Sequence, residues 1–340
     1  MRNLWTSQRN GPEAGVTLVV VAVVMLVLLG FAALSIDLAY LTVSKDELRR
    51  AADSAALAGA GRLGNLDASA TAVAFAAKNT VAGNDVTLGE GDVALGWYDF
   101  GTNQFAASGG TGEQNAVRLT ARRTRNSPDG ALPVFFASVL GIHCAELSAE
   151  AIGVIDRRVS GVEPGANSPL VPFLVSAETF GGLAQGLRTP IGTPVEFYPQ
   201  RGDAPGNFGL ANLDGGPNST PELVDWIENG YPGGMEIPPE QGYLLVEGTP
   251  GFVDGIKNAV QDRMGDTVVV MVYDQVTDGG SNAIFRVRTF CAIKITGIHM
   301  TGQMDRRNIA GDVQEMRNSV IHASGTGMYN STLSSLRLVQ

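Results

Sequence analysis

Residues 16–36, VTLVVVAVVMLVLLGFAALSI, run for twenty-one positions without a charge, from Val16 through Gly30 to Ile36. At about 1.5 Å per helical residue the run reaches roughly 31 Å, the thickness of a bilayer's hydrocarbon core. It reads as a membrane-spanning helix, and everything else in the chain is placed relative to that membrane. A secretory signal peptide is the rival reading, because the run lies near the amino terminus with small residues (Ala51, Ala52, Ala55) downstream. Such signals use an apolar region of only ~7–15 residues followed by a short cleavage region. Here the apolar run is longer and residues 37–50 continue in helical style, so the sequence favours a retained anchor.

Charge sets the orientation. Arg2, Arg9 and Glu13 precede the span, and positively charged flanks stay in the cytoplasm. Beyond the span, acidic residues exceed basic ones and carry the chain's net charge of −10. The expected topology is amino terminus in and acidic body out, facing the periplasm or the extracellular side, without affinity for nucleic acid.

The body is long enough for one large or two small domains. With 43 glycines and only 17% charged residues, it suits β-rich, loop-rich extracytoplasmic structure. Its two cysteines, Cys144 and Cys291, allow one disulfide in an oxidising compartment, or two buried reduced thiols; their spacing carries no signature.

After Asp37 the helical period continues through Leu38, Leu41, Leu48, Ala52, Ala55 and Ala56. Twelve of the 27 residues from 51 to 77 are alanine, a strong helix former whose small side chain lets another element approach closely. Ala52, Ala55 and Ala56 are therefore the expected helix-packing face, directed at similar helices of partner subunits. Gly59, Gly61 and Gly64 end the helix, and Asn65 or Asp67 caps a second one from Ala68 to about Lys78. Alternation then predicts strands in DVTLGEGDVALGWYDF, NQFAAS, NAVRLTARRT and AELSAEAIGVI, the last pairing with residues 115–124. Residues 129–141 read as a short apolar helix with Pro133 near its first turn.

The expected organisation is a cytoplasmic segment (1–15), the span (16–36), an α+β unit with alanine-rich helices (37–156), a linker (157–169), a β-rich α+β domain (170–305) and a polar tail (306–340). Within the second domain, Thr220 caps the helix TPELVDWIENG with Pro221 in its first position and Gly230 past its end. Another helix covers about 251–264. TVVVMVYDQV and AIFRVRTFCAIKITGI are long strands joined by TDGGSN, a hairpin signal.

Motifs for chemistry are weak. Gly59, Gly61 and Gly64 fit G-x-G-x-x-G, but a helix rather than a strand precedes them, so no dinucleotide site is expected. Asp214 with Gly215 and Gly216, and Asp274 with Asp278, lack the ligand pattern of a calcium loop and read as turns. Arg201-Gly202-Asp203 reads as an exposed loop, and Asn218 and Asn330 begin glycosylation sequons. His143, His299 and His322 are the only histidines, and no HExxH, G-x-S-x-G or CxxC occurs. The expectation is no enzyme, no cofactor and no metal.

The stretch LLGFAALSIDLAYLTVSKDELRRAADSAALAGA resembles the amino-terminal module of TadE/TadG-like Flp pilus-assembly proteins. The resemblance spans residues 15–60 and rests on Leu29, Gly30, Asp37, Tyr40, Leu48, Ala52, Asp53, Ala55, Ala56, Leu57 and Ala58. GWYDFGTNQF, NAVRLTARR, LPVFFASVLG and AELSAEA resemble the region carboxyl-terminal to that module in TadG-type proteins. Beyond residue 160 the resemblance is limited to GNFGLANLDGG, PELVDWIENG and the final hairpin. It implies a pseudopilin-like first unit and a structural or assembly role in a Tad (Flp, type IVc) pilus, with other pilus subunits and membrane lipid as partners. A surface adhesin or minor pilin is the second reading and a membrane-anchored hydrolase the third. The D-x-S-x-S metal site of some TadG-type proteins is missing here, and cleavage at Gly15 would put Val20 where prepilins carry Glu.

Overall fold

The computed structural model describes residues 12–64, 67–107, 114–199, 207–216, 219–251, 253–277, 283–303 and 306–339. The expected cap Asn65, the Arg201-Gly202-Asp203 loop, Asn218 and the 278–282 part of the TDGGSN turn lie outside the described residues.

Helix α1 (Pro12–Ala60) runs unbroken for 49 residues, about 74 Å at 1.5 Å per residue. Its only proline is at the first position, where a missing N–H is harmless. It stops where glycines accumulate, and Gly64 takes the left-handed φ of +87°. The two ends of α1 differ in environment. The apolar window of the span has none of its surface buried by the body, whereas Leu48, Ala51, Ala52, Ala55 and Ala56 are wholly buried. Helix α2 (Ala68–Ala76) packs on the alanine end, with Ala72 and Ala76 inside. Asp67 holds its N-cap position without a capping hydrogen bond.

A small hairpin, β1 (Thr80–Val81) and β2 (Asn84–Asp85), leads to β3 (Val93–Asp99), β4 (Gln104–Ala106) and β5 (Ala116–Arg123). Residues 129–141 do not make the expected helix. Pro133 lies in β6 (Leu132–Pro133), paired with β7 (Cys144–Ala145), and only the 3-10 turn Ala137–Leu140 remains helical. Gly141 at φ +85° closes that turn, and the N–H groups of residues 135–137, which in a helix over 129–141 would bond carbonyls four residues earlier, are taken by Asp37. Strand β8 (Leu147–Asp156) pairs antiparallel with β5 from Ala116↔Val154 to Arg123↔Leu147.

The expected linker is also structured. Only Arg157 separates β8 from β9 (Arg158–Val162), the centre of a small four-stranded sheet. Its glycine marks close approach, since a Cβ at Gly161 would stand 2.4 Å from the Met235 carbonyl oxygen.

The second part of the body comprises β10 (Leu170–Ser176), β11 (Pro194–Tyr198), β12 (Asn207–Asn212), α3 (Thr220–Asn229), β13 (Met235–Glu236), β14 (Leu244–Pro250), α4 (Lys257–Asp262), β15 (Thr267–Thr277) and β16 (Ile284–His299). The cap of α3 is Ser219, one residue earlier than expected. Its hydroxyl accepts from the Glu222 N–H while the Glu222 carboxylate accepts from the Ser219 N–H, a reciprocal box that Thr220 cannot make from inside the helix. The expected hairpin pairs β15 with β16 from Thr267↔Lys294 to Thr277↔Ile284. Strand β10 then pairs with β12, β12 with β14, β14 with β16, and β15 returns in parallel to β10. These five strands close a ring that encloses Phe173, Leu210, Val246, Val270 and Phe285 in one core.

The expected polar tail is a run of strands: β17 (Asn308–Val313), β18 (Met316–Asn318), β19 (Ile321–Ala323), β20 (Met328–Tyr329) and β21 (Leu333–Val339). Strands β13, β19 and β20 pair with β9. The last strand crosses back to the first unit and pairs antiparallel with β8, from Ser335↔Asp156 to Val339↔Ile152. The first sheet therefore has the order β18-β21-β8-β5-β3-β4. Polar residues of this stretch are buried because they are bonded rather than solvated: Asn330 and Thr332 have no exposed surface and hydrogen-bond to each other and to β16.

Candidate functional site

Three features join the long helix to the body. The first is the alanine seam. Ala52, Ala55 and Ala56 are fully buried against Leu119 and Ala121 of β5, Ala151 of β8 and Ala72 and Ala76 of α2. The seam is so close that a Cβ at Gly153 would stand 2.3 Å from the Ala56 carbonyl oxygen. This alanine face therefore packs inside its own chain. The expected contact with helices of other subunits is corrected on this point, because a surface with no exposure has nothing left to offer a partner.

The second is Asp37, the first residue after the apolar run. Its side chain accepts from the backbone N–H groups of Phe135 (2.9 Å), Phe136 (2.9 Å) and Ala137 (2.6 Å), and the residue is 4% exposed. Burial pushes its pKa up, but the three N–H donors together outweigh that and hold the carboxylate below its ordinary range. A depressed folded pKa means the clamp contributes fully above the unfolded value of about 4 and is lost as pH falls through the lower folded value. Asp37→Asn should raise the hydrogen-exchange rates of the Phe135, Phe136 and Ala137 amides at neutral pH, and acidification of the parent should do the same. Unchanged protection in the variant would mean that something other than the carboxylate holds the loop.

The third is a charged joint where the first sheet meets the later strands. Asp156, fully buried, receives Arg158 (2.7 Å) and Arg337 (2.9 Å). Glu315 receives Arg157 (2.7 Å) and a two-pronged bond from Arg317 (3.0 Å each). Burial opposes ionisation of Glu315, but the two guanidinium groups lower its pKa overall. Arg317 also donates to the carbonyls of Gly61 and Leu63, so a cation from the late strands holds the turn that follows α1. A cleft of about 1380 Å³ lies along this joint, bordered by Trp97, Phe100, Arg188 and Tyr329 among others. Arg158 stacks over the Phe100 ring at 4.2 Å and Arg188 over Tyr329 at 4.2 Å.

A long helix free of the body at one end and buried on a sheet by an alanine seam at the other is thus the defining geometry. Residues 15–62 match a family model described as Flp pilus-assembly TadE/G-like, and residues 54–152 match one described as Tad-like Flp pilus-assembly. Over residues 15–152 the chain is therefore similar to Tad-like pilus-assembly proteins. The two matches overlap in the alanine seam and the second ends within β8, so the helix and most of the first sheet carry them. Comparison with curated proteins gives no match, and comparison with solved structures gives none.

The remaining residues singled out by sequence fall apart in space. Cys144 and Cys291 are both free thiols, which corrects the disulfide alternative. Cys144 is half-buried in β7 with the Arg125 guanidinium 3.6 Å from its sulfur. Cys291 is enclosed in the second core opposite Val270, where burial pushes its pKa up to about 12. The sequon residue Asn330 donates to the Phe290 carbonyl at 2.6 Å inside the protein, out of reach of a glycan. Asp214 accepts the Gly216 N–H in a turn, and Asp274 pairs with Arg286 and Arg288.

One cluster touches the hydrolase reading. Ser160 Oγ lies 3.3 Å and Glu236 Oε1 3.2 Å from His322. Both reach the same ring nitrogen, Nδ1, whereas a nucleophile and an orienting carboxylate must sit on opposite nitrogens for the imidazole to relay a proton. Ser160 is also 2% exposed. Sequence reasoning missed Gly153, the Asp37 acceptor role, and the Glu315–Arg317 joint. Of these, only Asp37 carried a local signal, a lone carboxylate closing an apolar run.

Proposed function

We propose that this Tad-like protein is a non-enzymatic structural component of pilus assembly, anchored in the bacterial inner membrane by a single pass of residues 16–36. Its amino terminus is cytoplasmic and its body lies in the periplasm or beyond. What carries the reading is the division of α1: an apolar end with no surface buried by the body, followed without a break by an end locked into that body. The basic amino-terminal flank and the acidic body support the orientation. With the alanine seam used internally, the surfaces open to other pilus subunits are those of the apolar run and the outer faces of the sheets.

An alkaline phosphatase reporter, active only after export, fused to the carboxyl terminus of the full chain tests the orientation. The expected result is an active reporter. Activity confined to a cytoplasm-dependent reporter at the same position would overturn both orientation and placement.

A further inference from the structure

The loop at residues 135–142 is apolar and largely uncovered. Phe135 is 58% exposed, Val139 87%, Leu140 68% and Ile142 55%. Side chains of this size are ordinarily buried, and a contiguous exposed group marks an interaction surface. Its position in the fold identifies what it meets. The loop hangs from Asp37, whose carboxylate takes the N–H groups of residues 135–137, and Asp37 comes directly after Ile36, the end of the apolar run. The Phe135 ring also meets Tyr40, one turn along α1, edge to face at 5.3 Å.

We propose that residues 135–142 form a second, interfacial membrane contact, seated in the boundary between headgroups and acyl chains of the bilayer that residues 16–36 cross. The occupant of this surface is lipid. One helical residue advances only about 1.5 Å, so a loop fixed at Asp37 is held at the bilayer surface whenever the run before it fills the hydrocarbon core. Aromatic side chains such as Tyr40 favour that depth. The carboxylate has a plain role there: it satisfies three backbone N–H groups of a loop that would otherwise carry them unpaired into a medium poor in water. Arg125, which reaches Cys144 beside the loop, places a cation at headgroup level, although it also faces Glu146 at 3.8 Å. Two contacts, a span and a loop, would fix the tilt and rotation of the body on the membrane.

This inference rests on the reading of residues 16–36 as a span, and the test separates the two. The full chain carrying Cys144→Ser, with buried Cys291 left in place, takes an environment-sensitive nitrobenzoxadiazole label at Leu140→Cys or, separately, at Val27→Cys. Each is reconstituted into phosphatidylcholine–phosphatidylglycerol vesicles containing lipid with a nitroxide either near the headgroup or deep in the acyl chain. The expected result is that the Leu140 label emits blue-shifted light, loses most of its intensity to the shallow nitroxide and resists aqueous iodide. The Val27 label should be quenched by the deep nitroxide. Iodide quenching at Leu140 with lipid quenching at Val27 would overturn the loop contact and leave the span standing. A blue-shifted Leu140 label that neither lipid nor iodide quenches would mean that protein covers the loop, which also overturns the proposal. Failure of lipid quenching at Val27 would remove the span and the loop contact together.

Discussion

Gly153→Ala should destabilise the first unit severely, although it adds a single methyl group. The new Cβ would stand 2.3 Å from the Ala56 carbonyl oxygen and 2.6 Å from its carbon. Both are backbone atoms of α1, so neither can swing aside, and the helix must lift off the sheet. Overpacking a rigid contact costs about 1–3 kcal/mol and occasionally more; with backbone on one side the upper end, on the order of 3 kcal/mol, is expected. Gly165→Ala is the matched control, because a Cβ there has nothing within 4 Å. Denaturant unfolding of the full chain in detergent should show a lowered midpoint for Gly153→Ala and little change for Gly165→Ala. Ala55→Leu with Ala56→Leu should act like Gly153→Ala, reducing the amount of folded protein before any effect on pilus assembly arises. Equal midpoints for the two glycine variants would mean that α1 does not lie this close to β8.

Asn330→Ala should weaken both parts of the body at once. The Asn330 side chain donates to the Phe290 carbonyl and to Thr289 Oγ1 in β16, and its oxygen accepts from the Thr332 and Leu333 N–H groups at the entrance to β21. Alanine leaves those buried N–H groups without this acceptor, at about 1–3 kcal/mol for each unsatisfied group. The sum is on the order of 4 kcal/mol. Because β16 belongs to the ring and β21 to the first sheet, loss of the anchor should release β21 from β8. Hydrogen exchange should therefore rise on β8 residues 152–156 as well as around Phe290. A rise confined to β16 would show that β21 holds to β8 without the Asn330 link.

The sequence alone determined the features that depend on local composition. Twenty-one uncharged residues define an apolar helix through length and hydropathy; the crowding of alanine before Gly59, Gly61 and Gly64 defines a close-packing helix end; alternation defines β3, β5 and β8. The β15–β16 hairpin arises from two β-branched runs flanking a turn sequence. The alanine-rich module was also sufficient for the family resemblance, because small residues at close helix contacts leave a specific pattern.

Tertiary structure decided the partners. Ala52, Ala55 and Ala56 read as a close-packing face directed at helices of partner subunits, and only the fold, by bringing Gly153 beneath Ala56, assigned them to this chain's own sheet. Residues 306–340 read as a polar tail because polarity is scored residue by residue. Asn330, Thr332 and Arg337 meet their hydrogen-bonding partners only when β16 and Asp156 are brought beside them. The disulfide alternative stayed open in the sequence for the same reason, since two cysteines far apart have no local signal that one sits half-buried in β7 and the other inside the second core. Periodicity records which side of an element is buried; which element buries it is settled by long-range pairing.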